Sequence, residues 1–591
     1  MRQAVKEKCK AELDLALSQL PPNVVIEVPA PEETHKLYKG WWRLRVSLSI
    51  PSNAILPKLI TLSIYIDEHY PFGNYAVIPD DEAIYGHPHQ EAITRKLCLQ
   101  PDFVIGNGPH KLWQIIRSAK KWLEAADSGL LAKPHENYEL PDFSGKLPRV
   151  IFNETAETFK KWTDVIPSMG VCDVSKAKQN LYIAKNLHNE SHEKIFSDVL
   201  EYYDSICAGW ILIDREPVTI RRNPCLTWNE LTVILEISKI DLYEFTEKIW
   251  TQLDLVPGLG GNLVLIGFPI PLKNSDASSE IHWQPLLIDS FEKYKNSLVD
   301  GYRKGKAPLK DVFQRIIQKK VFKSNDNIAW LKSSNASHVR LFGRGMLEPQ
   351  ITEMRFAIFG LGALGSNFSH MLVREGVNEV ALFDGDSMEP GNVCRHVGSF
   401  IDSDETKAEL IEAQLLKINP YLSASAYHTT LPVAEKTEPF EEILKSDYVI
   451  DCTASEKVLL WEDQLIKEHD CNVIKLYLTY GADYLCMFGH APGNSLSSVN
   501  EKILAMKGKS KIPDDFFDLH EDTFFEGAGC YHPTFPARID RIMPLLGLAL
   551  QRLATRFNDA NLESDWALII GYRKSKDDTC PTIEPYFEGK L

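Results

Sequence analysis

The sequence has 591 residues, and its 65 Lys and Arg against 81 Asp and Glu give a formal net charge of −16. A chain of this length folds as several domains, and its acidic excess disfavours a broad surface for nucleic acid, so we expect protein partners and no nucleic acid. The absence of a visible signal peptide or membrane-length apolar run, together with 11 scattered cysteines without a CxxC pair, predicts a cytoplasmic chain with no membrane contact.

Residues 1–150 are predicted as a small α+β domain. Apolar positions at helical spacing open the chain, and WRLRVSLSI and LSIYI then alternate apolar and polar residues around a Pro-containing turn, which predicts an antiparallel meander. The stretch HKLWQIIRSAKKWLEAA predicts a helix with a buried face formed by Leu112, Ile115, Ile116, Ala119 and Trp122. The following segment, AKPHENYELPDFSGKLP, is predicted as the exit linker of this domain.

Residues 151–340 are predicted as an α/β spacer domain. VLIGFPIPL is typical of a strand and DLYEFTEKIWTQL of a helix. No cluster of residues in this part indicates a site that carries out chemistry. The first pattern in residues 341–591 is RFAIFGLGALGSNFSHMLVREGVNEVALFDGD, which starts at Arg355 and has the order strand, glycine turn, helix and strand. That order predicts a Rossmann-like domain with a parallel sheet covered by helices.

The glycine turn indicates a nucleotide site. Gly360, Gly362 and Gly365 form GxGxxG, in which glycines allow a tight turn and the following helix offers its N-terminus to a phosphate. Asp384 ends the second strand, where an acidic side chain normally holds a ribose hydroxyl. This pattern alone describes any dinucleotide or mononucleotide fold, and a nicotinamide-dependent dehydrogenase is then the default interpretation.

The stretch DGDSMEPGNVCRH changes that interpretation. It adds Asp386, Asn392 and Arg395 at the mouth of the sheet, followed by Lys407. The pattern resembles the ubiquitin-activating superfamily, including the adenylating enzymes of molybdopterin and thiamin synthesis, whose signature is Asp-x-Asp followed by Asn-x-x-Arg. The resemblance implies that Asp384 holds the ATP ribose while Asn392 and Arg395 hold the phosphates. Lys407 would reach the triphosphate across the pocket.

One position departs from that superfamily. VIDCTASEK has Ala454 where the family has the second acid of Asp-x-Thr-Asp, which assists magnesium. Asp451, Asp386 and Glu456 are the candidates for the missing carboxylate. We assign Asp451 to the nucleotide site and to Mg²⁺.

A thiol follows in FFEGAGCYHPTF. Cys530 stands between a glycine pair and a His-Pro dipeptide, and the stretch resembles the crossover loop that carries a thiol to the acyl-adenylate in the same superfamily. Gly527 and Gly529 would permit the movement, and His532 would help to lower the pKa of the thiol. The alternative is a buried cysteine in a tight turn.

The N-terminal domain carries a second candidate thiol. The Tyr-Pro-Phe turn at 70–72, the His-Pro pair at 87–88 and Cys98 followed by Leu99 resemble the core of a ubiquitin-conjugating enzyme, and Trp113 opens the next helix as in that family. His89 replaces the family's Asn, whose side chain supports the oxyanion during transfer. An imidazole can donate the same hydrogen bond. The alternative is that Cys98 is a core residue between two leucines.

A conjugating-type part followed by an activating-type part resembles the fused ligation proteins of bacterial CBASS antiphage operons. The resemblance implies that the chain uses ATP and Mg²⁺ to adenylate the C-terminus of a cyclic-oligonucleotide synthase. The acyl group would pass to Cys530, then to Cys98 and finally to a target lysine, which primes antiphage defence. It also implies a homodimer, in which Arg344, or less favourably Arg340, reaches the partner's ATP.

Three alternatives stay open. The same chemistry can act on a small bacterial ubiquitin-like protein. A non-catalytic nucleotide-binding scaffold is favoured by the departures at Ala454 and His89. A nicotinamide-dependent redox enzyme would leave Asn392 and Arg395 without a role.

Overall fold

The computed structural model describes residues 2–20, 25–27, 36–51, 55–91, 94–99, 108–143, 145–185, 187, 205–219, 223–249, 252–290, 321–506, 516, 524–525, 533–534, 537–558, 564–573 and 582–591. The chain divides into two compact units, of which the first runs to Ser337 and the second is formed mainly by His338–Leu591. Among the described residues, no helix has the length and apolar character that crossing a membrane requires.

The first unit begins with helices packed on an antiparallel sheet, as the alternation predicted. Its elements are α1 (Arg2–Ser18), β1 (Val25–Glu27), β2 (Trp42–Ser49), β3 (Leu59–Ile66), β4 (Tyr75–Pro79) and α2 (Gly108–Asp127). The four strands lie in chain order, and each pairs antiparallel with the next. The predicted apolar face of α2 is buried against this sheet, with Leu112 and Ala119 fully inaccessible to solvent.

A closed seven-stranded barrel follows in the same unit. Its strands, in the order β10-β11-β5-β7-β6-β8-β9, are β5 (Lys146–Phe152), β6 (Ser168–Lys178), β7 (Leu181–Lys185), β8 (Ser205–Leu212), β9 (Gly261–Pro271), β10 (Ser278–Asp289) and β11 (Ala329–Asn335). Its helices are α3 (Ala156–Thr163), α4 (Trp228–Ile237) and α5 (Leu242–Ile249). The predicted strand and helix of the spacer correspond to β9 and α5.

The segment predicted as an exit linker packs against this barrel, so that prediction was wrong. The Tyr138 N–H donates to the carbonyl of Leu272 over 3.0 Å. The ring of Phe143 is buried, with its centroid 5.0 Å from that of Trp330. The Pro and Gly residues of the segment indicated a linker, but its apolar side chains are stabilised by burial on the barrel.

The second unit contains an eight-stranded sheet in the order β14-β13-β12-β15-β16-β17-β20-β21. Its strands, with the separate β18-β19 pair, are β12 (Arg355–Phe359), β13 (Glu379–Asp384), β14 (Ser423–His428), β15 (Tyr448–Asp451), β16 (Val473–Leu478), β17 (Tyr484–Gly489), β18 (Phe524–Phe525), β19 (Pro533–Thr534), β20 (Trp566–Arg573) and β21 (Thr582–Lys590). Its helices are α6 (His338–Phe342), α7 (Pro349–Thr352), α8 (Gly365–Arg374), α9 (Lys407–Ile418), α10 (Glu438–Leu444), α11 (Glu456–His469), α12 (Leu496–Leu504) and α13 (Ile539–Asn558).

This sheet is parallel only from β14 to β16, and the last three strands are antiparallel to their neighbours. The expectation of a fully parallel sheet therefore holds for five strands. The difference arises because a short turn joins β16 to β17, and strands joined by a short turn pair antiparallel. The α/β class with a nucleotide-binding type of sheet is confirmed.

Both faces of the parallel part are buried. Along β12, Phe356 and Ile358 belong to one apolar core, and Ala357 and Phe359 belong to the other. A strand that is apolar on both faces needs helices on both sides, as in a doubly wound fold. The polar residues that follow the strand ends are then left at one edge of the sheet.

Candidate functional site

The register of the parallel strands brings three loops to one edge of the second unit. Phe359 at the end of β12 lies opposite Phe383 of β13 and Asp451 of β15. Gly360, Asp384 and Cys452 therefore follow at the same level. Open α/β sheets bind ligands at this edge, beyond the carboxyl ends of the strands.

The glycine loop is closed too tightly for side chains at two of its positions. Gly360 has a φ of +75°, and a Cβ there would lie 3.0 Å from Thr453. At Gly365, where α8 begins, a Cβ would lie 2.0 Å from the carbonyl oxygen of Gly360. A Cβ at Gly362 would meet nothing within 4 Å, so this position borders open space.

Asp384 joins the glycine loop to the segment after β13. Its Oδ2 accepts the Leu361 N–H over 2.6 Å, and its Oδ1 accepts the Asp386 N–H over 2.8 Å. Burial raises the pKa of the Asp384 carboxyl, which these backbone bonds and Lys407 partly offset. The carboxylate thus holds the glycine loop and the segment after β13 next to each other. Each of its oxygens has a further lone pair that can accept a hydrogen bond from a ligand.

Lys407 stands at the first turn of α9 with little exposed surface. Its Nζ lies 3.0 Å from Oδ2 of Asp386, and its backbone N–H donates to the Asp386 carbonyl over 3.0 Å. The side chain of Asp386 is 76% exposed, so the pair is open to solvent on one side. A phosphate entering here would meet an ammonium that is already held in place.

These residues line one cavity of about 340 Å³. Its polar lining includes Gly360, Gly362, Asp384, Asp386, Lys407, Thr430, Thr453 and Ser455. Phe383, Leu431 and Val458 supply apolar walls. Backbone N–H groups beside a helix N-terminus and a lysine suit the phosphates of a nucleotide, and apolar walls suit its base, so the residues present suit ATP.

Asn392 and Arg395 are not among the residues that line this cavity. They lie in and after the 3-10 turn Pro390–Cys394, where Asn392 Oδ1 accepts the Glu389 N–H over 3.2 Å. Asn367 of α8 donates its Nδ2 to the Arg395 carbonyl over 2.9 Å. Both predicted residues are thus placed beside the helix that follows the glycine loop, and their phosphate roles stay predictions.

His396 is a residue that the sequence did not single out. Its Nε2 donates to the Leu361 carbonyl over 2.8 Å, and its Nδ1 accepts the Gly398 N–H over 2.8 Å. Burial lowers its pKa to about 4, so the imidazole is neutral at physiological pH. The imidazole thus connects the segment that contains Asn392 and Arg395 to the glycine loop. A single histidine that belongs to no motif could not be recognised from the sequence as having this role.

Asp451 is fully buried and bound within the protein. Its carboxylate pairs with Lys475 of β16, and its Oδ1 accepts the Thr453 N–H over 2.7 Å. Glu462 lies 3.7 Å from the Lys475 ammonium, and burial raises its pKa well above the ordinary value. In the part of the chain that the structure describes, no three His, Cys, Asp or Glu side chains form a group that could hold a metal ion.

The geometry therefore does not fit Asp451 as a Mg²⁺ ligand, because its oxygens already serve Lys475 and Thr453. Ala454, which follows, is exposed and has a φ of +51°. Asp and Asn adopt this left-handed region more readily than Ala, so the backbone suits the acid that the resemblance leads one to expect at this position. Of the remaining carboxylates, Asp386 and Glu456 are both exposed, and Asp386 lines the cavity.

Arg340 and Arg344 are not among the residues that line the cavity. Arg340 in α6 and Arg344 just after it are exposed near the start of the second unit. Cys530 lies outside the described residues, together with Gly527, Gly529 and His532. The roles of Arg344 and Cys530 stay predictions.

Cys98 is exposed in the first unit, whereas its neighbour Leu97 is buried. A core position for this thiol, the alternative considered above, is therefore excluded. The Cys98 N–H donates to the His89 carbonyl over 2.8 Å, which places the two residues side by side. The surrounding protein raises the pKa of the thiol by desolvation, and the charges of Glu139 and Glu91 raise it further.

Two protein-family models match parts of the chain. The Cap2 central linker domain matches residues 129–336, and the ThiF family matches residues 334–478. An ATP-dependent ubiquitin transferase-like protein Cap2 from Enterobacter hormaechei is 25% identical over 71% of this chain and 70% of its own length. The chain is similar to Cap2 over most of its length and to the ThiF family over residues 334–478.

Further relatives match shorter parts. The Cap2 protein of Pseudomonas aeruginosa is 28% identical over 25% of this chain and 28% of its own length. The molybdopterin-synthase adenylyltransferase of Escherichia coli is 32% identical over 17% of the chain and 41% of its own length. A solved structure of E. coli MccB covers 41% of the chain and 65% of MccB at 16% identity, with a TM-score of 0.29.

Proposed function

We propose that this chain is an ATP-dependent protein-ligating enzyme. It adenylates the C-terminal carboxylate of a partner protein, carries the acyl group as a thioester on Cys530 and then on Cys98, and transfers it to a lysine amine of a target. The observation that carries the proposal is the cavity where Gly360, Asp384 and Lys407 converge at the edge of a ThiF-type sheet. The Cap2 and adenylyltransferase relatives support adenylation and ubiquitin-like conjugation in general terms.

In the first step the partner's carboxylate oxygen attacks the α-phosphorus of ATP, and the bond to pyrophosphate breaks. The glycine loop offers backbone N–H groups and the N-terminus of α8 to the phosphates. Lys407 compensates the charge that gathers on the departing pyrophosphate, and Arg395 is assigned the same task from the neighbouring turn. Mg²⁺ is expected to accompany ATP, and no described group of carboxylates is assigned to it.

In the later steps sulfur and nitrogen nucleophiles act in turn. The thiolate of Cys530 attacks the acyl carbon and AMP leaves, after which the Cys98 thiolate displaces Cys530. Exposure of Cys98 fits a thiol that must meet a second sulfur and then an amine. Desolvation and nearby acidic groups raise the pKa of this thiol, which disfavours the thiolate before a substrate arrives.

The partner is assigned by resemblance to CBASS ligation proteins as a cyclic-oligonucleotide synthase. A small ubiquitin-like protein is the alternative substrate for the same site. We further propose a homodimer in which Arg344 of one subunit reaches the ATP of the other. Light scattering of the active protein tests this point, and a fully active monomer would exclude it.

The adenylation step is tested by partner-dependent exchange between ATP and pyrophosphate. Lys407→Ala and Arg395→Ala each remove a charge-assisted contact worth about 1.5 to 3 kcal/mol, so exchange is expected to fall about 10- to 100-fold. Lys417→Ala, at the exposed far end of α9, is the matched control and should exchange like the wild type. Undiminished exchange in Arg395→Ala removes that residue from the site. ATP binding without exchange favours a scaffold.

The order of the thiols is tested by comparing reducing and non-reducing gels. Cys530→Ala should form the acyl-adenylate and load neither cysteine. Cys98→Ala should load Cys530 with a reductant-sensitive thioester and stop there, while Cys98→Ser should trap the substrate as an ester that survives the reductant. If Cys98→Ala conjugates the target as well as the wild type, the N-terminal domain is a binding domain only.

A further inference from the structure

The surroundings of Cys98 include Glu139, from the segment predicted as an exit linker, and Asn223, from the predicted spacer. Both residues lie within residues 129–336, which match the Cap2 central linker domain. Asn223 Oδ1 accepts a hydrogen bond from Nη1 of Arg95 over 2.9 Å, three residues before Cys98. Glu139 contacts His89, the residue whose carbonyl binds the Cys98 N–H.

The Glu139 carboxylate holds His89 at two points. Its Oε2 lies 3.0 Å from Nδ1 of the imidazole and accepts the His89 backbone N–H over 2.9 Å. On the other side, the His89 carbonyl accepts N–H groups from Cys98 over 2.8 Å and from the Trp122 indole over 3.2 Å. His89 has a φ of +57°, an uncommon conformation that these four contacts stabilise.

The contact to Glu139 also decides where the ring proton lies. A carboxylate accepts hydrogen bonds only, so Nδ1 of His89 must carry the proton that bonds to Glu139. In the neutral ring, Nε2 then has a free lone pair. An imidazole of this tautomer accepts a proton at Nε2 and cannot donate from it to an oxyanion.

We propose that Glu139 is a positioning residue for the transfer from Cys98, and that it sets His89 as the base that takes the proton of the attacking lysine amine. The lysine ammonium first loses one proton to solvent. The amine nitrogen then bonds to the thioester carbon, one N–H proton moves to Nε2 of His89, and the carbon–sulfur bond breaks. Cys98 leaves as the thiolate and takes that proton from His89. This inference rests on the proposed function and replaces the oxyanion role expected for His89.

Charge and access around the pair agree with this role. The side chains of His89 and Glu139 are 37% and 40% exposed, so a lysine side chain can reach them. The charges that act on the Cys98 thiol are mainly acidic: Glu139, Glu91 and Asp142 raise its pKa, and Lys96 lowers it. An acidic rim attracts a cationic amine, and a base is then needed to remove its proton.

The test uses the full-length chain with ATP, Mg²⁺ and the partner protein, loaded on Cys98 before a lysine-bearing target is added. A general base contributes about 10²- to 10⁴-fold, so His89→Ala should slow the single-turnover transfer by that factor while loading of Cys98 is unchanged. Glu139→Ala should slow transfer by at least about 10-fold. Glu139→Gln keeps an acceptor oxygen for both N–H groups and should retain most of the rate.

Glu136→Gln is the matched control: Glu136 lies three residues before Glu139 in sequence, its carboxylate pairs with Lys133, and it acts on His89 through its charge alone. It should transfer at the wild-type rate. Wild-type transfer in Glu139→Ala, with normal loading, would overturn the inference and leave the proposed function intact. Failure of the wild type to load Cys98 at all would instead contradict the proposed function.

A second measurement decides the geometry without any activity. Nitrogen-15 shifts of the His89 ring, assigned with His89→Gln, should show the neutral tautomer protonated at Nδ1 in the wild type and in Glu139→Gln. Glu139→Ala should lose this preference. A wild-type ring protonated at Nε2 would contradict the proposal even if transfer is slow in the variants.

Discussion

The nucleotide cavity and the Cys98 site are built in different ways. The cavity is formed by loops that follow neighbouring strands of one sheet, and backbone groups and buried charges define it. The Cys98 site combines the sheet domain with residues such as Glu139 from the linker domain, and its charged side chains are partly exposed. A site made by one sheet edge follows from local sequence, whereas a site made by two domains depends on how distant segments pack.

The difference also predicts how substitutions act. Around the cavity, charges such as Asp451 and Lys475 are removed from water, so losing a partner should cost stability. Around Cys98 the ion pairs are half exposed, and exposed pairs contribute little to stability. Substitutions there should change the reaction and leave the fold intact. Four predictions test this contrast, in order of decreasing effect.

The largest effect is expected for the buried ion pair beneath the cavity. Lys475→Met leaves the Asp451 carboxylate buried without its cation, which should destabilise the second unit by about 3 to 5 kcal/mol. Glu462→Gln is the matched control: burial raises the pKa of Glu462 well above its ordinary value and so favours the neutral form, which Gln resembles, and the change should stay within about 1 kcal/mol. Hydrogen exchange across Val473–Leu478 measures both variants. Equal effects would show that Glu462 carries the charge.

The glycine loop is expected to be the next most sensitive feature. Gly365→Ala places a Cβ 2.0 Å from the Gly360 carbonyl oxygen, and the resulting overpacking should cost about 3 kcal/mol and abolish ATP binding. Gly362→Ala adds a methyl group to open space and should leave the melting temperature without nucleotide unchanged. Calorimetric ATP titration and thermal melting measure the pair. Normal ATP binding by Gly365→Ala would contradict the conclusion that the loop has no room for a side chain at this position.

Acid should lower the stability of the fold around the cavity, because His396 is buried there. Burial lowers its folded pKa to about 4, below an unfolded value near 6.5, so the unfolded state binds the proton first and stability falls as the pH drops through this interval. Between pH 7 and pH 5 the loss is about 2 kcal/mol. His396→Gln should remove this part of the acid sensitivity, measured as the melting temperature against pH.

His370 on α8 is the control for that experiment, because burial also lowers its pKa to about 4. His370→Gln should reduce acid sensitivity to a similar extent and leave ATP affinity unchanged. His396→Gln should weaken ATP binding as well, since it loses the bond to the Leu361 carbonyl. Equal ATP affinity in the two variants would exclude a role for His396 in the loop.

The smallest effect on stability is expected at the Cys98 site. Asn223→Ala removes the hydrogen bond to Arg95 and should cost about 1 kcal/mol, seen as faster hydrogen exchange in residues 94–99 with an unchanged global melting temperature. Asn229→Ala, an exposed substitution on α4, is the control and should change neither quantity. A large drop in melting temperature for Asn223→Ala would remove the contrast between the two sites.

The sequence determined the nucleotide cavity to a large extent. GxGxxG between a strand and a helix, with Asp384 at the end of the next strand, places its residues at one sheet edge, because parallel strands in register end together. The amphipathic face of α2 and the meander before it followed from periodicity in the same way. These features depend on neighbours in sequence or on strand order, and both can be read from the chain.

Only the tertiary structure decided the rest. The closed barrel, the packing of Phe143 on it and the contact of Glu139 with His89 join segments that no local pattern relates. The pairing of Asp451 with Lys475 likewise depends on which strand lies beside β15. It gives Asp451 a structural role, whereas the sequence analysis predicted a metal ligand. Burial and long-range contacts determine the ionisation and the orientation of these side chains. Neither burial nor long-range contacts can be read from residue type or spacing.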